Sequence, residues 1–410
     1  MQNPRLHIIL AFGLDCYLFY PRRYALKMPQ VRFDSRNVNH SALESFCAKL
    51  LTAAGLCGDD AELVANMLVE TNLRGIDSHG VARLPHYLSR ISAGSINPRP
   101  QMEVENLGPS AARVNGDRGL GQVVMNRATE ESISLARDTG AGWVAVADSS
   151  HCGALAQYGL KIADAGMIGF VFTHVDLMVL PFGSQQSFCG TNPICITAPR
   201  ASGPAASSNS GALCLDMATS KVPWNTVANA AIERVPIESG WAVDADGNDT
   251  TDAAAVESLY PVGDYKGSGL GLMIDVLCAM LSGSPFGPDI PKMYGDLSRP
   301  RQLGGLVGAI DISRFVPLEQ FHDRVAGLIE RWGALPSSEP GGQVLFPGEP
   351  ELITREKRLR HGIPLGLRML EEFETLAKTN GLEDSLRELT SFVPSPASIH
   401  TRPISDEARL

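Results

Sequence analysis

Apolar side chains recur every three or four positions along much of the chain, which is the spacing of a helix with one buried face. Residues 40–75 show this spacing twice and therefore predict two helices. The same spacing predicts further helices over residues 81–91, 122–139, 154–165, 270–281 and 318–332. The segment 270–281 is almost entirely apolar, so we expect that helix to be fully buried.

Short apolar runs between these helices predict strands. They cover residues 143–147, 167–173, 194–198, 213–216 and 307–312. This mixture of strands and helices indicates an α/β or α+β fold. The stretch Gly267-Ser-Gly269-Leu-Gly271 has the wrong spacing for the G-x-G-x-x-G dinucleotide fingerprint, and no P-loop motif occurs in the sequence. Any nicotinamide cofactor is therefore expected on a scaffold other than the Rossmann fold.

Three segments lack this periodicity. Residues 1–37 hold an apolar run that is too short to span a membrane and has no convincing cleavage site after it, so we expect an N-terminal extension. Residues 200–211 are rich in serine, alanine and glycine, which predicts a loose surface loop. Residues 381–410 are polar and contain several prolines, which predicts a flexible tail.

Composition narrows the class of protein. The chain has 410 residues, 44% hydrophobic and 20% charged, and is long enough for two or three globular domains. Its net charge of -10 disfavours a nucleic-acid partner, because such proteins present a basic surface. The eight cysteines include no C-x-x-C pair, which argues against a zinc site and fits a reducing, cytoplasmic compartment. We expect no metal, no nucleic acid and no membrane partner.

The segment Asp77-Ser-His-Gly80 carries the most informative chemistry. Asp77 and Ser78 are near enough in sequence to orient the imidazole of His79, the side chain that exchanges protons near neutral pH. Arg83 follows one helical turn later and offers a planar fork that matches a carboxylate. Together these residues predict proton transfer on a small substrate that bears a carboxylate. A structural histidine in a turn and an arginine in a salt bridge are the plainer alternatives.

A second candidate region joins a predicted strand to a predicted helix at residues 151–155. Free N–H groups at a helix start attract anions, so this stretch, which begins with His151, is expected to hold cofactor phosphate or ribose. Cys152 is a possible nucleophile, although buried inert thiols are commoner. Asp216 ends a predicted strand, where a carboxylate suits hydrogen bonds to ribose hydroxyls. A capping histidine and an ordinary strand-terminating aspartate are the alternatives.

Two turns carry further candidates. Thr191 lies in a Gly-Thr-Asn-Pro turn whose side-chain donors can point into a site, although a plain turn has the same composition. Lys266 and Gly267 precede a glycine-rich helix start. A lysine there can reach a phosphate or the nicotinamide amide, and glycine permits close approach of the backbone.

Five segments occur in one order along the chain. They are Arg74-Gly-Ile-Asp-Ser-His-Gly80, Ser150-His-Cys-Gly-Ala154, Pro181-Phe-Gly183 with Gly190-Thr-Asn-Pro193, Asp216-Met-Ala-Thr-Ser220, and Tyr265-Lys-Gly267. Together they resemble the malate/L-lactate dehydrogenase family, which also contains ureidoglycolate and sulfolactate dehydrogenases and cyclic ketimine reductases. The resemblance covers residues 38–376. Within the family the sequence is most similar in style to ureidoglycolate dehydrogenases.

The resemblance implies a fold that is not Rossmann, with a cofactor-binding domain built on a largely antiparallel sheet. It predicts a helical part over residues 38–144 that is completed by residues 300–380. It places the cofactor-binding domain at residues 145–299. Members of the family are homodimers with the active site near the subunit boundary, so we expect a homodimer here.

Roles of individual residues also follow from the resemblance. His79 corresponds to a proton donor assisted by Ser78, and Arg83 corresponds to a substrate-binding arginine. His151 corresponds to the proton acceptor of ureidoglycolate dehydrogenases and to a cofactor contact of ketimine reductases, so the acid–base role stays open between the two histidines. Two substrate contacts are predicted besides Arg83, independently of the resemblance. They are Thr191, from its turn, and His174, which stands next to Val175 and either contacts the substrate or shapes a different pocket. The predicted cofactor contacts are His151, Cys152, Gly153, Ala154, Leu155, Asp216, Met217, Ala218, Lys266, Gly267, Arg301, Gly348 and Glu349.

Two positions depart from patterns within the family. Ketimine reductases carry an acid where Thr226 stands, which speaks against imine reduction. Ureidoglycolate dehydrogenases carry a substrate-contacting serine where Val175 stands, which leaves the substrate open.

The predicted function is an NAD(P)-dependent dehydrogenase of CH–OH donors that acts on a small 2-hydroxy acid such as malate, lactate or ureidoglycolate. NAD is favoured over NADP because the sequence shows no obvious basic pocket for a 2′-phosphate. A cyclic imine reductase and a catalytically silent paralogue that binds the cofactor are the alternatives.

Overall fold

The chain forms a mixture of helices and strands over the residues that the computed structural model describes, which are 35–201, 211–338 and 340–392. In chain order the elements are β1 (Ser35–Val38), α1 (His40–Ala53), α2 (Gly58–Leu73), α3 (Leu84–Ser92), β2 (Glu103–Gly108), β3 (Ala111–Asn115), α4 (Gly121–Thr139), β4 (Ala141–Ser149), α5 (Ala156–Asp164), β5 (Met167–Thr173), β6 (Ile194–Ala198), β7 (Leu213–Met217), α6 (Trp224–Glu233), β8 (Ala242–Val243), β9 (Ser258–Leu259), α7 (Tyr265–Asp275), β10 (Leu303–Asp311), α8 (Leu318–Gly333), α9 (Glu349–His361), β11 (Ile363–Gly366), α10 (Leu367–Asn380) and α11 (Glu383–Thr390). Most of the predicted N-terminal extension and of the predicted loop at 200–211 lies outside the described residues.

Seven strands form the central sheet, in the order β2-β3-β4-β10-β5-β6-β7. In this sheet β3 and β4 run parallel, and the other five neighbouring pairs are antiparallel. Val307 in the middle of β10 lies opposite Val144 of β4 and Val171 of β5. Residues 303–309 are all buried, as expected of a central strand covered on both faces. The predicted mixed fold with a largely antiparallel sheet is confirmed.

A helical unit packs beside the sheet and is built from both ends of the described chain. Strand β1 pairs antiparallel with β11, so that Val38 lies opposite Ile363. Helices α10 and α11 pack against α1, and α9 packs against α2. The rings of Phe46 and Phe373 lie 5.2 Å apart in the shared core. The C-terminal segment therefore completes the helical N-terminal part, as the resemblance implied.

Helix α11 occupies part of the segment for which the sequence predicted a flexible tail, and that part of the prediction is wrong. Leu389 is fully buried in the helical core, and Lys49 Nζ donates a hydrogen bond to Ser385 Oγ at 2.8 Å. A single buried apolar face is enough to dock a short helix whose other side chains are charged. The rest of the predicted tail, residues 393–410, lies outside the described residues.

The predicted division of the chain after residues 144 and 299 stays a prediction. Strand β4 spans the first of these boundaries, and β10 lies at the centre of the sheet rather than among the helices. Two separate apolar cores nevertheless exist, one around Phe46 in the helical unit and one around Val144 in the sheet unit.

Helix α7 and the π-helical turn that extends it (Val276–Met280) are not fully buried, contrary to the expectation for residues 270–281. Leu272 and Met273 are half exposed, whereas Ile274 and Cys278 are buried against the sheet. The helix therefore covers the sheet with one face and turns a second apolar face outward. Within the described residues no helix, α7 included, is long and apolar enough to cross a membrane.

Candidate active site

A cavity of about 540 Å³ is lined by residues of both the helical unit and the sheet unit. The residues predicted from the sequence that the structure brings to its wall are Ser78, His79, Arg83, His151, Cys152, Gly153, Ala154, Leu155, Thr191, Asp216, Met217 and Ala218. A concave site of this size with a few convergent polar groups is the usual form of a small-molecule site. The described part of the chain holds no group of three or more histidine, cysteine or acidic side chains suited to a metal.

The turn that carries His79 is held in place by Asn72 at the end of α2. Asn72 Nδ2 donates to Asp77 Oδ1 at 2.6 Å, and Asn72 Oδ1 accepts from the N–H of Val81 at 2.8 Å. A Cβ atom at Gly80 would lie 2.1 Å from Asn72 Oδ1, so this close approach requires glycine.

Asp77 does not orient the imidazole of His79, although the sequence suggested that it could. Its carboxylate accepts hydrogen bonds from Arg358 Nη1 at 2.6 Å and Nη2 at 2.8 Å, besides the bond from Asn72. The imidazole has the neighbouring hydroxyl as its partner instead, with Ser78 Oγ 2.9 Å from His79 Nδ1.

The imidazole of His79 is neutral near pH 7. Burial and the nearby Arg83 cation lower its pKa to about 4. Because a serine hydroxyl can donate or accept, Ser78 permits the proton of His79 to reside on either ring nitrogen. His79 can therefore accept a proton from a bound hydroxyl at Nε2.

Three hydrogen bonds orient the guanidinium of Arg83 at the same end of the cavity. Its Nε donates to the carbonyl oxygen of Ser78 at 2.6 Å, its Nη2 to Asn225 Oδ1 at 2.9 Å, and its Nη1 to the hydroxyl of Tyr294. A guanidinium has five N–H groups, so two remain for a carboxylate. Asn225 and Tyr294 also line the cavity, and sequence reasoning did not assign them to the site. They are 142 and 211 residues from Arg83, and no local pattern reports contacts over such separations.

His151 lies against His79, with ring centroids 5.6 Å apart and ring planes inclined by 24°. His151 Nδ1 is 2.7 Å from the hydroxyl of Tyr87 and 3.4 Å from the backbone nitrogen of Gly153. Burial and the nearby His79 and Arg83 lower the pKa of His151 well below its usual value. Sequence reasoning missed Tyr87, although its position one helical turn after Arg83 was a usable signal.

The helix start at residues 151–155 meets a carboxylate of this chain. Asp216, at the end of β7, accepts a hydrogen bond from the N–H of Ala156 at 2.8 Å. Burial raises the pKa of Asp216 to about 6. The N–H of Ala156, the first residue of α5, is thus already bound, while the remaining lone pairs of the carboxylate can accept from a hydroxyl.

Arg74 supplies a cation to the part of the cavity near Asp216. It is 4% exposed, and its Nη1 has no hydrogen-bond partner among the described residues. Glu351 of α9 lines the same cavity, and the charges of Arg74 and Glu351 both act on Asp216. A buried polar nitrogen without a partner is costly, so this position fits a bound acceptor. Sequence analysis included Arg74 in the first family motif but assigned it no role.

His174 and Arg301 lie behind the cavity wall rather than in it. His174 is fully buried, with Nδ1 3.2 Å from Asp275 Oδ1 and Nε2 accepting from the N–H of Gly304 at 2.8 Å. Arg301 Nη2 donates to Asp176 Oδ1 at 2.6 Å, and Asp176 lines the cavity. Both ring nitrogens of His174 are engaged in joining α7 to β10, and Arg301 positions a wall residue. Their predicted roles toward substrate and cofactor stay predictions.

Lys266 and Gly267, at the start of α7, also lie outside the cavity wall. Lys266 is exposed, with its Nζ 6.0 Å from the ring centroid of Tyr265. A Cβ atom at Gly267 would lie 2.3 Å from the carbonyl oxygen of Val262, so this glycine serves close packing of the backbone. The cofactor contacts predicted here stay predictions.

Gly348 and Glu349 pack behind strand β7. Gly348 has a φ of +95°, and a Cβ there would lie 3.0 Å from the Cβ of Cys214. Glu349 Oε2 accepts a hydrogen bond from the N–H of Phe346 at 3.1 Å. The structure thus brings Glu351, two residues beyond Glu349 on α9, to the cavity in place of these two predicted residues.

Comparison with known proteins places the chain in a family. The malate/L-lactate dehydrogenase family matches residues 38–374. The malate dehydrogenase of Pyrococcus horikoshii is 36% identical over 351 residues, which span 83% of this chain and 94% of that protein. The ureidoglycolate dehydrogenase (NAD(+)) of Escherichia coli K12 is 35% identical over 331 residues, which span 81% of this chain and 92% of that protein.

Solved structures agree with these relatives. The structure of the Pyrococcus horikoshii malate dehydrogenase has a TM-score of 0.75 at 34% identity and covers 85% of this chain and 97% of that one. The structure of the delta1-piperideine-2-carboxylate reductase of Pseudomonas syringae has a TM-score of 0.74 at 27% identity, and the match covers 83% of this chain and 100% of that one. The chain belongs to the malate/L-lactate dehydrogenase family, as the motifs predicted, and is an oxidoreductase of the class that acts on CH–OH donors.

Proposed function

We propose that this protein is an NAD-dependent dehydrogenase of small 2-hydroxy acids. The observation that carries the proposal is the placement of a neutral imidazole, His79, and an oriented guanidinium, Arg83, at one end of a single cavity. A 2-hydroxy acid carries its hydroxyl and its carboxylate on the same carbon. These two side chains match those two groups.

The other end of the cavity fits a dinucleotide. The unpartnered Nη1 of Arg74 suits a hydrogen-bond acceptor of the cofactor, and Asp216 suits a ribose hydroxyl. A bound oxidised nicotinamide would supply the hydride acceptor for carbon 2 of the substrate. We favour NAD over NADP because Asp216 and Glu351 both lie beside Arg74, where their charges would oppose a 2′-phosphate.

Side chains of this protein bind the substrate and transfer its hydroxyl proton. Arg83 holds the substrate carboxylate with its two unused N–H groups, while Asn225 and Tyr294 keep the guanidinium from turning away. His79 Nε2 accepts the hydroxyl proton during oxidation and returns it during reduction of the keto acid. Ser78 supports both protonation states of His79 through its hydroxyl. A positioned acid–base group of this kind contributes about 10²–10⁴-fold in rate.

The relatives limit the substrate to a class. Their names specify malate, ureidoglycolate and sulfolactate, all small 2-hydroxy acids. We propose that this chain acts on malate, lactate or ureidoglycolate. Val175 and Met178 add apolar surface to the wall of the same cavity.

A second candidate function is reduction of a cyclic imine, favoured by the likeness to the piperideine-2-carboxylate reductase. Both reactions need a carboxylate clamp and a proton at the reacting heteroatom. Thr226, where imine reductases of the family are expected to carry an acid, argues for the hydroxy acid.

We also propose that the chain forms a homodimer through the outward face of α7. Leu272, Met273 and Leu281 are 50%, 55% and 58% exposed, and together with Tyr265 they form an apolar surface that a second copy would cover. Analytical ultracentrifugation tests this, and Met273→Glu should shift the protein toward monomer. A reducing compartment such as the cytoplasm is proposed because all seven cysteines in the described residues are unpaired.

The function is tested with a panel of 2-hydroxy acids and NAD or NADP, followed by the absorbance of the reduced nicotinamide. We expect turnover of at least one hydroxy acid with NAD and a lower kcat/KM with NADP. Turnover of cyclic imine carboxylates alone would favour the second candidate. Cofactor binding with no turnover of either class would identify a silent paralogue.

A further inference from the structure

The hydrogen-bond partners of His151 fix the position of its proton. Nδ1 lies 2.7 Å from the hydroxyl of Tyr87 and 3.4 Å from the backbone nitrogen of Gly153. A backbone N–H can only donate, so Nδ1 must be the acceptor in that contact. A neutral imidazole that accepts at Nδ1 carries its proton on Nε2.

The hydroxyl of Tyr87 is set to donate in the same direction. Gln122 Nε2 donates to Tyr87 Oη at 3.1 Å, which occupies an acceptor position of that oxygen. Tyr87 and Gln122 are each 1% exposed, so solvent does not compete for the hydroxyl proton. The tyrosine proton is therefore directed to His151 Nδ1, and two donors converge on one ring nitrogen.

The surroundings of His151 also oppose a charged ring. The charged and titratable groups that act on it are His79, Arg83, His86 and Arg301, and each of them disfavours a second proton on the imidazole. Tyr87 is itself kept neutral by burial, which raises its pKa. His151 is thus a neutral ring whose available group is an N–H.

We propose that Tyr87 and Gln122 are positioning residues that hold His151 as a hydrogen-bond donor through Nε2–H, directed at the oxygen on carbon 2 of the substrate. On this proposal His151 never accepts the substrate proton, and the acid–base role belongs to His79. A neutral imidazole donor stabilises negative charge that develops on a carbonyl oxygen. The inference rests on the proposed function for the identity of the acceptor, but the position of the proton does not depend on it.

The first experiment needs no turnover. In protein labelled with ¹⁵N at its histidine rings, NMR should show His151 with a protonated Nε2 and an unprotonated Nδ1 near pH 7, assigned by loss of the signal in His151→Gln. In Tyr87→Phe the Nε2–H form should lose its dominance. Tyr158→Phe is the matched control, because that buried hydroxyl donates to the carbonyl oxygen of Cys152 at 2.6 Å and should leave the His151 signals unchanged. A proton on Nδ1 in the unmodified enzyme would overturn the proposal.

The second experiment uses two replacements of His151. Glutamine keeps an N–H donor, so His151→Gln should retain kcat within about 10-fold, whereas His151→Phe should lose about 10²–10³-fold. Equal losses in both variants would overturn the donor role. If Tyr87→Phe does not fold, the spectrum of the unmodified enzyme and this pair still decide the matter. If no hydroxy acid is turned over, the proposed function fails while the spectrum still tests the proton position.

Discussion

Two histidines share one cavity, and their partners give them opposite chemistry. His79 Nδ1 faces the hydroxyl of Ser78, a group that donates or accepts as required. His151 Nδ1 faces two donors, the hydroxyl of Tyr87 and the N–H of Gly153. Both rings are neutral near pH 7, so charge does not distinguish them. The partner of Nδ1 therefore decides which of these two histidines can take up the substrate proton at Nε2.

The largest expected effect comes from removing the ring that can change its protonation. We expect His79→Gln to lower kcat for hydroxy-acid oxidation by about 10²–10⁴-fold, because an amide cannot accept the hydroxyl proton. Steady-state kinetics with the best acid of the panel measures this. A smaller loss in His79→Gln than in His151→Gln would reverse the assignment of the two rings.

A smaller effect on kcat/KM is expected from replacing Arg83, the cation next to His79. Arg83→Lys should lower kcat/KM by about 10–10²-fold, mostly through KM, because lysine cannot make the forked contact while it also bonds Asn225. Arg355→Lys is the matched control. Arg355 donates two hydrogen bonds of 2.8 Å to the carboxylate of Glu70, and neither residue lines the cavity. An unchanged KM in Arg83→Lys would remove the carboxylate from this position.

Replacing Ser78, the hydrogen-bond partner of His79, should lower kcat by a smaller factor. Ser78→Ala should lower kcat by about 10-fold, because His79 loses the group that supports both of its protonation states. The same spectrum that reports on His151 should then show a changed proton distribution in His79 alone. Equal changes in both rings would mean that the two sites are coupled rather than separately controlled.

The smallest effect concerns pH. Oxidation needs the neutral form of His79, which predominates above its pKa of about 4 and is lost as pH falls through that value. We therefore expect kcat/KM for oxidation to vary less than about 2-fold between pH 7 and 9, measured in buffers of constant ionic strength. A tenfold rise per pH unit across this range would show that His79 titrates near neutrality instead.

Local sequence was sufficient for the residues that lie close together in the chain. Ser78, His79 and Arg83 share one turn, and their spacing alone predicted that they act together. Asn225 and Tyr294 complete the same site from segments 142 and 211 residues away, and such contacts are created by packing rather than by local pattern. The same limit applies to the orphaned nitrogen of Arg74, which is visible only when its surroundings are known.

The fold shows a similar division. Periodicity located α1 to α5, α7, α8 and five strands of the central sheet, and motifs recovered the non-Rossmann sheet. It did not locate α6, α9, α10 or the strands β2 and β3. An apolar helix can bury all of its faces in the core or leave one of them at the molecular surface, and the sequence does not distinguish the two cases. For this reason α7 was expected to be fully buried. Polar composition likewise hid α11, which docks through one narrow apolar face that contains Leu386 and the buried Leu389.

The pairing of β1 with β11 has a consequence for synthesis of the chain. Val38 leaves the ribosome long before Ile363, its partner across the two strands. The apolar surfaces of the first helices that pack against the C-terminal segment therefore stay uncovered until nearly all of the polypeptide has emerged. Contacts this distant in sequence are slow to form, so closure of the helical unit is expected late in folding.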